Sequence, residues 1–243
     1  MSPNADALSA PEAELALSPL GPRRSAAEVA YERIRDALIS LALPPGTLVA
    51  RGAIAQRLGI SQTPVREALI RLQDEQLIEV VPHSATRVSR IDLAGAREAH
   101  FLRLAVEAEI VRRLAAASSP TLTGLLLEEI ARMRAAADEA AFHAADEAFH
   151  ASLYRAAGVP GLRELVRSRS GHLDRLRRLH LPEPGKAAAV LAEHEALTAA
   201  ILAGDPARAE ATLRAHLSGT FAEAARLRAT RPDYFTEADG GAD

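Results

Sequence analysis

Between Leu58 and Leu77 the chain reads LGISQTPVREALIRLQDEQL, and no other stretch limits the fold as tightly. Gly59 suits the left-handed residue that closes one helix, and Ser61 suits the N-cap of the next. Only Ile60 lies between them, which is the tight link of a helix-turn-helix. Pro64 fits a first helical turn, where its missing N–H has no partner to lose. Val65, Ala68, Leu69 and Leu72 recur at helical spacing and mark the buried side. Gln62, Thr63, Arg66 and Arg71 fall on the other. A polar, basic first turn on an apolar back is the form of a DNA recognition helix. An ordinary surface helix reads the same way in isolation, so its neighbours decide.

Upstream, Ser25 and Glu28 form a capping box for a helix with Val29, Ile34, Leu38 and Leu41 near one face. Leu43-Pro44-Pro45-Gly46 stops it. A short helix over about Arg51–Leu58 follows, with Ile54, Ala55 and Leu58 inward. Downstream, Ile78–Val81 and Thr86–Ser89 read as strands joined through Pro82-His83-Ser84-Ala85. Three helices and a hairpin make a winged helix-turn-helix over 25–90, with His83, Ser84 or Arg87 near the DNA backbone or minor groove. Residues 1–24, rich in Ala, Pro and Ser, are expected to be a disordered tail.

The net charge of −3 does not suggest a nucleic-acid binder, but residues 23–90 carry ten Arg against seven acids, a local +3. A basic module joined to an acidic remainder is compatible with DNA binding. Aromatics are 3% with no Trp, so the core must come from Leu, Ala, Val and Ile, which favours helix on helix. Cysteine is absent, which excludes disulfides and thiolate metal sites and fits a cytoplasmic protein. No apolar run is long enough for a membrane span, and no signal peptide is visible.

From Asp92 the pattern is helical almost to the end. Six helices are expected, over about 93–117, 122–137, 139–157, 161–179, 186–203 and 206–228, with Pro- and Gly-marked breaks. They make an all-α antiparallel bundle over 91–229, so the chain is mainly α. Residues 230–243 are expected to be a flexible tail.

The run from Pro45-Gly46 through Leu58-Gly59-Ile60-Ser61 to Thr63-Pro64-Val65-Arg66-Glu67-Ala68-Leu69 resembles the DNA-binding signature of the GntR superfamily of transcription regulators. Asp146-x3-His150, His194 with its trailing Ala200-Ile201-x2-Gly204-Asp205, and His216 resemble the helical FCD effector domain of its FadR-like branch. The resemblance covers roughly 25–227. It departs at Gln62 and Gly52, where the family favours arginine, at Ala85, where the wing has glycine, and at Val159, where asparagine is usual. Base preference therefore cannot be copied from relatives.

The resemblance implies a homodimer reading an inverted-repeat operator in double-stranded DNA, with no enzymatic activity. Base reading falls to Gln62 and Arg66, since Gln suits adenine and Arg guanine. Ser61 and Thr63 suit phosphate at the helix start, with Arg35, Arg51, Arg71, His83 and Arg87 as further contacts. Asp146 and His150, at i and i+4, share one helix face and can meet one cation. His194 and His216 lie on apolar stripes, where a lone histidine is more often a hydrogen-bonded core residue. At family-matching positions the four together suit a divalent metal: Zn, Ni, Mn or Fe. Arg103 stands where FCD relatives carry a pocket arginine, which implies a small carboxylate effector. An internal pair with Glu107 at i+4 is the alternative. Two other functions stay open: a metal-dependent enzyme, although no H-E-x-x-H or nucleophile elbow occurs, and a metal sensor without an organic effector.

Overall fold

The computed structural model describes residues 25–80 and 86–237. The expected N-terminal tail and the wing tip with His83 lie outside these residues. Helix α1 (Ala26–Ile39) starts at the reciprocal Ser25–Glu28 box, with bonds of 2.8 and 3.1 Å. It buries Ala30, Tyr31, Ile34 and Leu38, while Val29 turns to solvent. Helix α2 (Arg51–Leu58) ends at Gly59, whose φ of 66° is the left-handed cap expected there. Helix α3 (Gln62–Asp74) then buries Val65, Ala68, Leu69 and Leu72 against α1. Ser61 holds the N-cap position, but its side chain makes no capping bond.

The hairpin strands are β2 (Ile78–Val80) and β3 (Thr86–Val88), with Glu79 opposite Arg87. A two-residue strand β1 (Leu48–Val49), not foreseen from the sequence, pairs with the outer side of β3, giving the order β1-β3-β2. Two residues carry no periodicity to read. The strand exists because Gly46 (φ 84°) turns the chain so that Gly46 and Thr47 pair with Val88.

The bundle comprises α4 (Leu93–Ala116), α5 (Pro120–Arg134), α6 (Glu139–Ala156), α7 (Pro160–Arg169), α8 (Gly171–His180), α9 (Lys186–Leu202), α10 (Pro206–Ala222) and α11 (Ala224–Thr230). That is eight helices where six were expected. The expected 161–179 helix breaks at Ser170, whose hydroxyl bonds the carbonyl of Val166 at 2.8 Å. The expected 206–228 helix breaks at Glu223. The Glu223 break carries no Pro or Gly signal of the kind that marks helix ends in sequence, and at Ser170 the only such signal is the following Gly171. Residues expected to fray also pack: Phe235 is 2% exposed, and Ile91 exchanges backbone bonds with Tyr234 and Thr236. No described helix is long and apolar enough to cross a membrane.

The break at Ser170 lets α8 dock on the DNA-binding module. A Cβ on Gly171 would stand 2.7 Å from Leu77, so glycine permits the approach. Arg175, fully buried, donates to the Ser89 carbonyl at 2.6 Å. Its guanidinium also reaches His172 Nδ1 at 3.0 Å, and the Asp92 N–H donates to that same nitrogen at 3.1 Å. Two donors on one nitrogen need a neutral imidazole. Burial, and then the Arg175 charge, push the His172 pKa down to about 4. The unfolded chain therefore binds the proton more readily, and stability is lost as pH falls from about 6.5 towards 4. The loss is up to about 3 kcal/mol, order of magnitude, and flattens below that window. Urea unfolding at stepped pH is expected to show a slope in the wild type that His172→Gln reduces by this share, the rest coming from the other histidines whose pKa is lowered.

Candidate metal centre and DNA-reading face

Asp146 and His150 come from α6, His194 from α9 and His216 from α10, and the tertiary fold brings one ligand atom of each within 4.8 Å of the others. All four residues are buried. The Nε2 atoms of His194 and His216 each lie 3.4 Å from that of His150, and Asp146 Oδ1 lies 3.4 Å from His194 Nε2.

Each imidazole is oriented from behind. His194 Nδ1 donates to the Val190 carbonyl at 2.8 Å, and His216 Nδ1 donates to Glu193 Oε2 at 2.8 Å. His150 Nδ1 is 2.9 Å from Glu107 Oε2, close but too poorly aligned for a good hydrogen bond. With protons on Nδ1, the Nε2 lone pairs face one another, as outer carboxylates and carbonyls arrange them around metals. Asp146 Oδ1 is buried without a hydrogen-bond partner, while Oδ2 accepts from Arg177 at 2.6 Å.

Lone pairs and a carboxylate oxygen crowded together in this way repel unless a cation joins them. Imidazole nitrogens about 2.1 Å from a tetrahedral ion stand about 3.4 Å apart, so the donor set fits a divalent metal. Burial raises the Asp146 pKa, but Arg177, His150, His194 and Arg103 outweigh it and hold the carboxyl ionised. Burial lowers the pKa of His150 and, with His216 alongside, that of His194, keeping both neutral. An ionised carboxylate and neutral imidazoles are the forms that ligate.

Arg103 is buried and does pair with Glu107, through Nε at 2.9 Å. The pair uses only that nitrogen. Among the described residues, neither terminal nitrogen of Arg103 has a hydrogen-bond partner, and the side chain lines a cavity beside the metal ligands. Glu107 also accepts from Tyr154 at 3.2 Å. Burial raises its pKa, but Arg103 and His150 win and hold it well below the usual carboxylate range. The cavity is narrow, about 40 Å³, room for a few waters or a small anion. His143 and His180 line it as well. Sequence reasoning missed Arg177 and Glu193, which hold a ligand each. Glu193 directly precedes His194, but nothing in sequence ties it to His216.

On the winged module, Ser61, Gln62, Thr63 and Arg66 are exposed along the first turns of α3. Arg66 has no ion pair among the described residues. Arg51 donates to Gln62 Oε1 at 3.0 Å, and Gln62 lies over Gly52. The two positions where the family favours arginine thus adjoin each other. Arg87 is exposed on β3. Arg71 is exposed but turns towards α1, with its guanidinium 3.8 Å from the centre of the Tyr31 ring.

Arg35 does not share this face. It is 4% exposed, bonded to Glu75 at 3.0 Å and the Arg167 carbonyl at 2.8 Å, and 3.6 Å from Asp174. A surface arginine and a buried one look alike in sequence when both fall on a helix with mixed faces. The expectation of a DNA contact at Arg35 is corrected: its charge is consumed between the two modules.

Residues 26–88 match the gntR family of bacterial regulatory proteins, and residues 98–219 match the FCD domain. The chain belongs to the GntR family and carries an FCD domain. A transcriptional regulator from an unstable DNA locus of Streptomyces ambofaciens is 37% identical, covering 84% of this chain and 87% of its own. The transcriptional repressor RspR of Escherichia coli is 24% identical over 90% of this chain and 97% of its own. Among solved structures, E. coli McbR/YncC superposes with a TM-score of 0.73 at 22% identity, covering 84% of this chain and 99% of that one. A GntR regulator from Rhodococcus gives 0.68 at 21%, over 85% and 99%. The regulator's winged helix-turn-helix and helical effector-type domain are thus a shared fold, in a family of transcription factors and not of enzymes.

Proposed function

We propose that this DNA-binding transcriptional regulator has its operator affinity set by a small carboxylate that binds beside a divalent metal in the FCD domain. The observation that carries this reading is the convergence of Asp146 Oδ1 and three Nε2 lone pairs on one buried point. Next to it stands an arginine with two unused nitrogens. A metal there supplies Lewis acidity for an anionic oxygen. Arg103 supplies a planar, permanently charged fork for the same group.

Helix α8 links the pocket to the DNA reader. Arg177 holds Asp146, while Asp174, one turn before it, and Arg175 engage Arg35 and Ser89. A ligand that moves Arg177 bears on the same short helix that seats the winged module. It shifts DNA affinity only if it prefers one of the two arrangements. In a homodimer, two α3 helices would read half-sites of an inverted repeat, with Gln62 and Arg66 at base edges. Ser61, Thr63, Arg51 and Arg87 would lie nearer phosphate.

Gel-shift titration on the regulator's own promoter region tests both halves. Metal-loaded protein is expected to change its DNA affinity at least tenfold with an organic acid, and Arg103→Met to abolish that response while still binding DNA. Arg66→Ala is expected to weaken operator binding by about 1–3 kcal/mol and to relax discrimination at one base position. A response to metal with none to any acid would replace this reading with direct metal sensing. Unaltered affinity in Arg66→Ala would remove that residue from the interface.

A further inference from the structure

Of the 29 lysine and arginine residues in the sequence, one is a lysine: Lys186. It is the first residue of α9, entered through Gly185 at a φ of 79°, and it lines the same cavity as Arg103 and the metal ligands. The side chain is half-buried and reaches across to α10, where a Cβ on Gly219 would stand 3.5 Å from Nζ.

Lys186 makes no ion pair among the described residues. The carboxylates nearest it in the helix pattern are already engaged, Glu183 by Arg226 and Glu193 by His216 at 2.8 Å. Beside it stands His180, 6% exposed, with Nδ1 buried and lacking a hydrogen-bond partner, and Thr220 also lines this part of the wall. The cavity therefore offers a second cationic position on α9–α10, separate from the Arg103 position on α4. A compact ammonium with rotatable donors suits an anionic oxygen that a rigid guanidinium fork would crowd.

We propose that the effector is a dicarboxylate. One carboxylate sits at Arg103 and the Asp146–histidine centre, and the other at Lys186, with His180 and Thr220 beside it. This rests on the reading above that the pocket takes an organic acid, and it adds the second charge.

The single lysine makes the test site-specific. Reductive methylation with ¹³C-formaldehyde keeps the positive charge and labels only Lys186 and the chain's α-amine, and Lys186→Arg identifies the lysine signal. Full-length protein loaded with Zn²⁺ is titrated with malonate, succinate and glutarate, and in parallel with acetate, propionate and butyrate. At least one dicarboxylate is expected to shift the Lys186 resonance, while its monocarboxylate counterpart leaves it in place. By calorimetry on unlabelled protein, that dicarboxylate is expected to bind at least tenfold more tightly than the monocarboxylate. Lys186→Met is expected to weaken the dicarboxylate far more than the monocarboxylate and so erase this preference. Equal affinity for both classes overturns the proposal and leaves the organic-acid reading intact. If neither class binds, the organic-acid reading itself has failed and the dicarboxylate with it.

Discussion

If the Asp146–His150–His194–His216 centre holds the divalent ion proposed for it, removing that ion is expected to lower the melting temperature by roughly 8–16 °C. The four ligands come from α6, α9 and α10, which approach one another only in the folded chain, so the ion binds the native state alone. At free metal about a thousandfold above its dissociation constant, such binding stabilises by about 4 kcal/mol. For a chain of this length each kcal/mol moves the midpoint by about 2–4 °C. The apo protein would also keep three lone pairs and an ionised Asp146 facing one another, so its bundle should loosen locally around His194, which is fully buried. Calorimetric scans before and after dialysis against a chelator, and again after adding metal back, measure the effect. His194→Ala should melt low from the start and no longer respond to chelator or metal. A wild-type midpoint indifferent to chelator and to added metal would sink the assignment.

The second large effect is expected at Arg35. Its guanidinium is buried against Glu75 and Asp174, whose side chains are 8% and 9% exposed, and it also donates to the Arg167 carbonyl. Arg35→Ala leaves those carboxylates buried without their cation, a change that costs about 3–5 kcal/mol. Glu75 also accepts from the Tyr31 hydroxyl. Burial, and then this bond, raise the Tyr31 pKa to about 12, so the phenol stays protonated and cannot replace the lost charge. The expected result is a midpoint lower by several degrees and faster proteolysis where the winged module meets α7 and α8. DNA affinity per folded molecule should keep its salt dependence, because Arg35 does not reach the face that carries Arg66. A phosphate contact would behave in the opposite way, with an unchanged midpoint and a salt slope reduced by about one. The two outcomes cannot be confused.

Arg35 shows why some sites were legible in sequence and others were not. The helix-turn-helix could be read from Gly59, Ser61, Pro64 and the apolar spacing because those signals act through neighbouring residues. Asp146 and His150 share a face by helix geometry alone. Joining them to His194 and His216 needed the family pattern, since nothing local relates residues on different helices. Arg177, Glu193 and Lys186 carried no signal at all, because what they do depends on which helix lies opposite. The break at Glu223 was invisible for the same reason, and Gly171 was the only local hint of the one at Ser170. Both lie within continuous helical patterns, and at Ser170 the break accompanies the close docking of Gly171 on Leu77.

The sequence by itself determined where the helical segments lie, caps such as Ser25 and Gly59, and the turn that presents Ser61 to Arg66, because backbone conformation and amphipathic spacing are set by residues within a few positions of each other. It also determined that the chain had to be two helical modules with a small wing. Only the tertiary structure decided that four distant side chains meet at one buried point, that Arg35 belongs to the junction and not to the DNA face, and that the one lysine stands in the wall of the cavity. Burial and charge pairing are properties of the packed chain: removing water makes a partner obligatory, and the partner is whatever the fold places opposite.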